Sequence, residues 1–232
     1  MKCAAVPFDN SGSGPPGTTP SFTPANDSLL FAIVPCLELF ITPPAWAISD
    51  SLGGTWTEQV SAVVSADAGT QCRVFTRPVT TGASMTVTAT LTAGILQAAG
   101  LSNEFDVIEV TGQDTVGSFL GLTASDTSAV TGGHSFSLGG TSDSDSLVLS
   151  FVTADGDDGA PDVDEGSGFT AIYKHNNPTP GTGWQRQSAE YQIGAISTIA
   201  WGDVTYAYTD SYVAIEIKAA SGDDVLMPQI WL

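Results

Sequence analysis

The chain has 232 residues, with 25 acidic side chains against 6 basic ones and a formal net charge of −19. So acidic a protein is repelled by phosphate backbones and anionic lipid headgroups, which are bound chiefly through Lys and Arg, and this argues against nucleic acid and membrane as partners. Hydrophobic residues make up 42% and charged residues only 13%, with 25 glycines, a balance that suits strands and tight turns rather than amphipathic helices.

Residues 1–25 hold five prolines among Gly, Ser and Thr and read as an extended arm that builds neither a ladder nor a core. Its beginning reaches Pro7 and Asp9 before an apolar segment of signal-peptide length develops, so no secretion signal is read there. From Asn26 the pattern changes. Leu29–Val34 is a near-continuous apolar run opened by the turn residues Asp27 and Ser28, as expected of a strand buried on both faces. The apolar stretch to Ile41 is too short to cross a bilayer and is interrupted by Pro35 and Glu38, which predicts a strand, a proline break and a second strand.

Gly53-Gly54-Thr55-Trp56-Thr57 reads as a turn feeding another strand, and Gln71–Thr76 as strand. Ser84–Leu91 alternates strictly, placing Met85, Val87, Ala89 and Leu91 on one face and Thr86, Thr88 and Thr90 on the other. Phe105–Val110 closes the series before Gly112. A second series then restates the first in the same order. Asp145–Val152 answers Asp27–Val34, Phe169-Thr170 answers Trp56-Thr57, Gly183–Tyr191 answers Gly69–Thr76, and Tyr212–Ile217 answers Phe105–Val110.

Each half is short and carries a stretch apolar enough to need covering, so the two are expected to bury each other in one domain. The expected fold is all-β: a two-sheet antiparallel sandwich of jelly-roll type over residues 26–218, with half-repeats 26–111 and 144–218. Beyond it lies an apolar tail, 219–232, ending in Val225–Leu232. The cysteines Cys3, Cys36 and Cys72 make an odd number without metal-ligand spacing; a Cys36–Cys72 bridge is compatible with the sequence but not required by it.

The strand motifs Asp27-Ser28-Leu29-Leu30, Thr55-Trp56-Thr57, Thr86-Val87-Thr88 and Val107-Ile108-Glu109-Val110 resemble those of β-sandwich modules in tailed-phage virion proteins, head decorations and fibres among them, and in secreted bacterial surface proteins. The resemblance covers most of residues 26–218. It implies a structural or decorating subunit displayed on the surface of a virus particle, extracellular, homo-oligomeric and in contact with other virion proteins. The segment Pro43-Pro44-Ala45-Trp46 departs from the pattern.

Chemistry is sparse. The two histidines, His134 and His175, fall beside turn residues and no Gly-x-Ser-x-Gly elbow is present, so nucleophilic catalysis has no support. Glu109 and Glu216 hold equivalent places in the two halves, but a glycosidase would need their carboxylates to face one cleft about 5 to 10 Å apart, and alternation with aliphatic neighbours turns each away from the core they line. The expectation is that the chain is not an enzyme and carries no cofactor, with calcium as the one candidate. Asp155, Asp157, Asp158, Asp162, Asp164 and Glu165 lie on a Gly-rich loop that offers a hard cation oxygen ligands. Docking to the particle falls to Phe8 and Phe22 of the arm and Leu226, Met227, Ile230 and Trp231 of the tail. In the alternative reading, a carbohydrate-binding module, Trp46, Trp184, Tyr206 and Tyr208 stack on a surface glycan.

Overall fold

The computed structural model describes residues 2–7, 17–38, 45–64, 69–93, 104–115, 118–129, 132–156, 163–179, 183–204, 210–220 and 227–228. Every regular element among them is a β-strand, and all the ladders are antiparallel. Leu29–Val34 is fully buried and belongs to β3 (Ser28–Glu38), the middle strand of a large sheet. β6 (Gly69–Val79) and β8 (Glu104–Thr111) flank it; β5 (Thr57–Val63) lies beyond β6, and β1 (Lys2–Pro7) beyond β8. β16 (Met227–Pro228) continues the same outer edge of β8, pairing with Thr111 and Val110 where β1 stops at Glu109.

The break expected at Pro35 does not occur. The ladder between β3 and β8 extends only as far as Ile33, so Pro35 has a single partner strand, opposite Cys72 of β6, and a proline is tolerated where only one ladder must be served. Ahead of β5, Gly53 takes a φ of 72°, a left-handed conformation that favours glycine. The turn is pinned by the buried Asp50 carboxylate, which accepts from the Leu52 and Gly54 amides and Trp56 Nε1 and meets Arg77 Nη1 at 3.0 Å.

A second large sheet runs β12 (Thr170–Thr179), β13 (Gly183–Ile193), β11 (Leu147–Gly156), β15 (Asp210–Ile217) and β9 (Leu120–Ser128). The two large sheets face each other. Leu29, Phe31, Ile33, Val74, Ile108 and Val110 of the first interlock with Leu147, Leu149, Phe151, Val213, Ile215 and Ile217 of the second. Each also buries its far face. Leu30, Ala32, Val34, Phe75 and Phe105 pack on Met85, Val87, Ala89 and Trp46 of a small sheet made of β2 (Gly17–Thr18), β7 (Val87–Ala93) and β4 (Ala45–Asp50), with Leu91 at its margin. Val148, Val152, Tyr212 and Ala214 pack on Phe136, Ile199 and Trp201 of the pair β10 (Gly132–Ser137) and β14 (Thr198–Val204).

Four sheets are therefore layered where two were expected. The reason is legible in β3 and β15, which carry buried residues at every position along the core. One partner sheet covers only one face of such a strand, so each large sheet needs a second. The arm also departs from expectation. Lys2–Pro7 forms a full ladder with β8, Gly17–Thr18 pairs with β7, and Phe22 bridges Met85 and packs on the core shared with Trp46. Lys2–Val6 contains no proline, and Pro7 stands at the ladder's end, where the missing N–H is tolerated.

Candidate functional site

The acidic loop after β11 is anchored at its far end. Asp155 lies in β11; Asp157, Asp158 and Asp162 are outside the described residues. Asp164 and Glu165 are exposed, and both reach Lys174 of β12, at 2.8 and 2.6 Å from Nζ. The Lys174 hydrogen bond holds the Glu165 carboxyl below its ordinary range, while Asp164 first and Glu165 second push the Lys174 ammonium up. Two of the six carboxylates expected to meet a cation thus meet the chain's own ammonium instead. Among the described residues, no group of three His, Cys, Asp or Glu side chains is placed to hold a metal ion.

Beneath this pair the loop is clamped to the sheets. Gly202 N donates to the Asp164 carbonyl, Glu165 bridges Trp201, and Phe169 N closes a turn on the Gly166 carbonyl. Gly166 presses so closely on β14 that a Cβ would stand 1.6 Å from the Ala200 carbonyl oxygen. Its amide donates, at 2.8 Å, to Oε2 of Glu190 on β13. Glu190 is 0% exposed, and burial first, with the neighbouring Glu165 charge adding to it, pushes its carboxyl up to about 8. Neither Lys174 nor Glu190 stood out in the sequence, although Lys174 is one of only six cations in it.

Both histidines are in strands rather than turns. His175 of β12 lies 3.2 Å from Oδ1 of the buried Asp106 on β8, tying one large sheet to the other. Its ring stacks on Tyr173 at 4.6 Å, and the Tyr173 hydroxyl accepts from Gln187 Nε2. His134 of β10 pairs with Asp126 of β9 at 3.1 Å and packs against the Tyr212 ring, tying an outer sheet to a central one. Their partner carboxylates come from other strands, a signal that local sequence does not carry. Each pair spans two layers, the arrangement of a structural link.

Glu109 and Glu216 do not converge. Glu109 turns toward the β2/β7/β4 sheet and accepts from the Ala25 amide; Glu216 turns toward the β10/β14 pair and accepts from Leu122 and Asp143. Both large sheets, stacked about 10 Å apart, lie between the two carboxylates.

Trp46 is buried between layers with Nε1 donating to Gln71 Oε1 at 3.2 Å, and so presents no face to a glycan. Trp184 is the second residue of β13, and Tyr206 and Tyr208 lie outside the described residues. Of the docking residues, Phe22 belongs to the chain's own core and Met227 pairs in register with Thr111, whereas Phe8, Leu226, Ile230 and Trp231 lie outside the described residues. Cys72 is a free buried thiol, which removes the Cys36–Cys72 bridge, and burial pushes it up to about 12, well out of the reactive range. Comparison with protein-family models, curated proteins and solved structures finds no match.

Proposed function

We propose that the chain is a structural or decorating subunit of a virus particle, displayed on its surface as a double β-sandwich body. The observation that carries this reading is the strand order. In the first half β1-β8-β3-β6-β5 faces β2-β7-β4; in the second, β9-β15-β11-β13-β12 faces β10-β14. One order maps on the other strand by strand, except that among the described residues no strand of the second half answers β4 or the β16 that pairs with β8. The four repeated sequence segments fall on corresponding strands: β3 and β11, β5 and β12, β6 and β13, β8 and β15. Neighbours 1-8-3-6 facing 2-7-4 follow seven of the eight places of a jelly roll, the architecture of viral capsid and lectin domains, with β5 beside β6 instead of beside β4, and this partial likeness supports the reading.

Particle assembly is favoured over glycan binding by the interior, where the spaces between the layers are filled with apolar side chains and Trp46 is one of them. The −19 charge suits a solvated outer surface and continues to argue against nucleic acid and membrane. In this reading the chain assembles with copies of itself and with other virion proteins, and Phe8, Leu226, Ile230 and Trp231 are the residues proposed to dock. Calcium on the acidic loop stays part of the proposal as a secondary ligand. Density-gradient fractionation of extracellular particles from cells that express the chain, with mass spectrometry and immunogold labelling, tests this function. The chain should band with intact particles and label their outside. Recovery wholly in the soluble fraction, with retention on an immobilised glycan array, would establish the carbohydrate-binding reading instead.

A further inference from the structure

We propose that Glu190 is a proton-operated latch: protonated, it holds the Asp164–Phe169 turn down on β14, and its ionisation releases that turn. The carboxyl is sealed from water, takes one hydrogen bond at Oε2 from the Gly166 amide, and has no partner at Oε1. A neutral acid tolerates this site. A carboxylate there lacks the second and third donors that would replace its hydration, which is a large penalty for a buried charge.

The charges around Glu190 offer little compensation. From the turn comes Glu165, of like sign; from β12 comes Lys174, already shared between Asp164 and Glu165. β11 places Ser150 opposite Glu190, its hydroxyl accepting from Trp201 Nε1 of β14, and neither side chain is charged. On β13 itself Arg186 shares the same face four residues away, roughly 13 Å at the rise of a strand. The turn lies over Glu190, fastened by the Gly166 amide, the Gly202-to-Asp164 hydrogen bond, the Glu165–Trp201 bridge, the Lys174 ion pairs and the Phe169 ring. Lifting that turn hydrates the carboxylate while leaving the rest of the layers in place.

The sign follows from the acid's position. Glu190 is pushed up to about 8 from an ordinary 4.5, so docking of the turn is fully favoured below the ordinary value and is lost as pH rises through about 8. Hydrogen exchange read by mass spectrometry at pH 6 and pH 9, corrected for intrinsic rates, tests this on the full chain. Protection of the turn should fall by about a hundredfold between pH 6 and pH 9, since docking weakens about tenfold per pH unit until the buried acid itself ionises near 8, while β3 keeps its protection. E190Q should protect the turn equally at both pH values, and G166A should leave it unprotected at both. A turn equally protected at pH 6 and 9 in the wild type, an unaltered pH response in E190Q, or parallel loss of protection in β3 would each overturn the latch. If E190Q does not fold, carboxyl carbon NMR of the wild type decides: a Glu190 midpoint near 8 supports the latch, and one near 4.5 overturns it.

Discussion

Ala25 and Asp143 each stand two residues ahead of the aspartate that precedes the middle strand of a large sheet, and each gives its amide to a glutamate on the neighbouring strand, Glu109 or Glu216. The paired glutamates are clasps at the start of β3 and β11. Burial opposes ionisation of Glu216, but the Leu122 and Asp143 amides outweigh it and hold the carboxyl below its ordinary range. E216Q should therefore cost about 2 kcal/mol at pH 7, or roughly 4–8 °C in Tm for a chain of this size. A lowered folded value means the contribution exists above the ordinary carboxylate range and disappears as pH falls through the folded one. The difference between E216Q and wild type, followed by calorimetry, should close as the pH falls below the ordinary carboxylate range. The repeat made the two glutamates conspicuous in the sequence, and their alternation with Ile108, Val110, Ile215 and Ile217 gave their direction. Their partners were not visible, because the donors lie 84 and 73 residues away.

Among the elements, β3 was the easiest to read and β1 the hardest, for one physical reason. A strand covered on both faces writes its environment into its own composition, and Leu29–Val34 is apolar at every step. Phe31, fully buried between the two large sheets, should cost about 3–5 kcal/mol as F31A, measured by urea unfolding at pH 7. A strand added at a sheet edge needs only its backbone, and the composition of Lys2–Pro7 says nothing of β8 at the other end of the first half. The same holds for β2, β10 and β14, whose places are set by pairing rather than by pattern. Removing residues 1–25 should then take away two strands and Phe22, expose the outer edge of β8, and leave a chain that aggregates or melts well below the full-length protein. A truncated chain that stays monomeric with an unchanged Tm, by light scattering and calorimetry, would show the arm to be dispensable after all.

At the scale of the molecule, charge is the dominant surface property. Arg73 is committed to Glu58, Arg77 to Asp50 and Lys174 to Asp164 and Glu165, while Arg186 is buried. With 25 acidic side chains against 6 basic ones, carboxylates far outnumber cations, and their mutual repulsion weakens the folded state wherever salt does not screen it. Tm should rise by several degrees between about 0.01 M and about 0.5 M NaCl, most of it below the point where the Debye length shrinks to about 10 Å; a Tm that falls with salt would mean the few ion pairs outweigh the repulsion. The layered strand order has another consequence, one of time. The outer edge of β8 is completed by Lys2–Pro7 and by Met227–Pro228, segments from far apart in the chain that meet beside Glu109 and Val110. On the ribosome Lys2–Pro7 must wait for about a hundred residues to emerge before it has a partner, and β8 then keeps part of its edge open until nearly everything else has been made. Pairings so distant close slowly, in milliseconds to seconds. Until they do, the nascent chain carries a row of unpaired amides and carbonyls that its neighbours on the same messenger can find first.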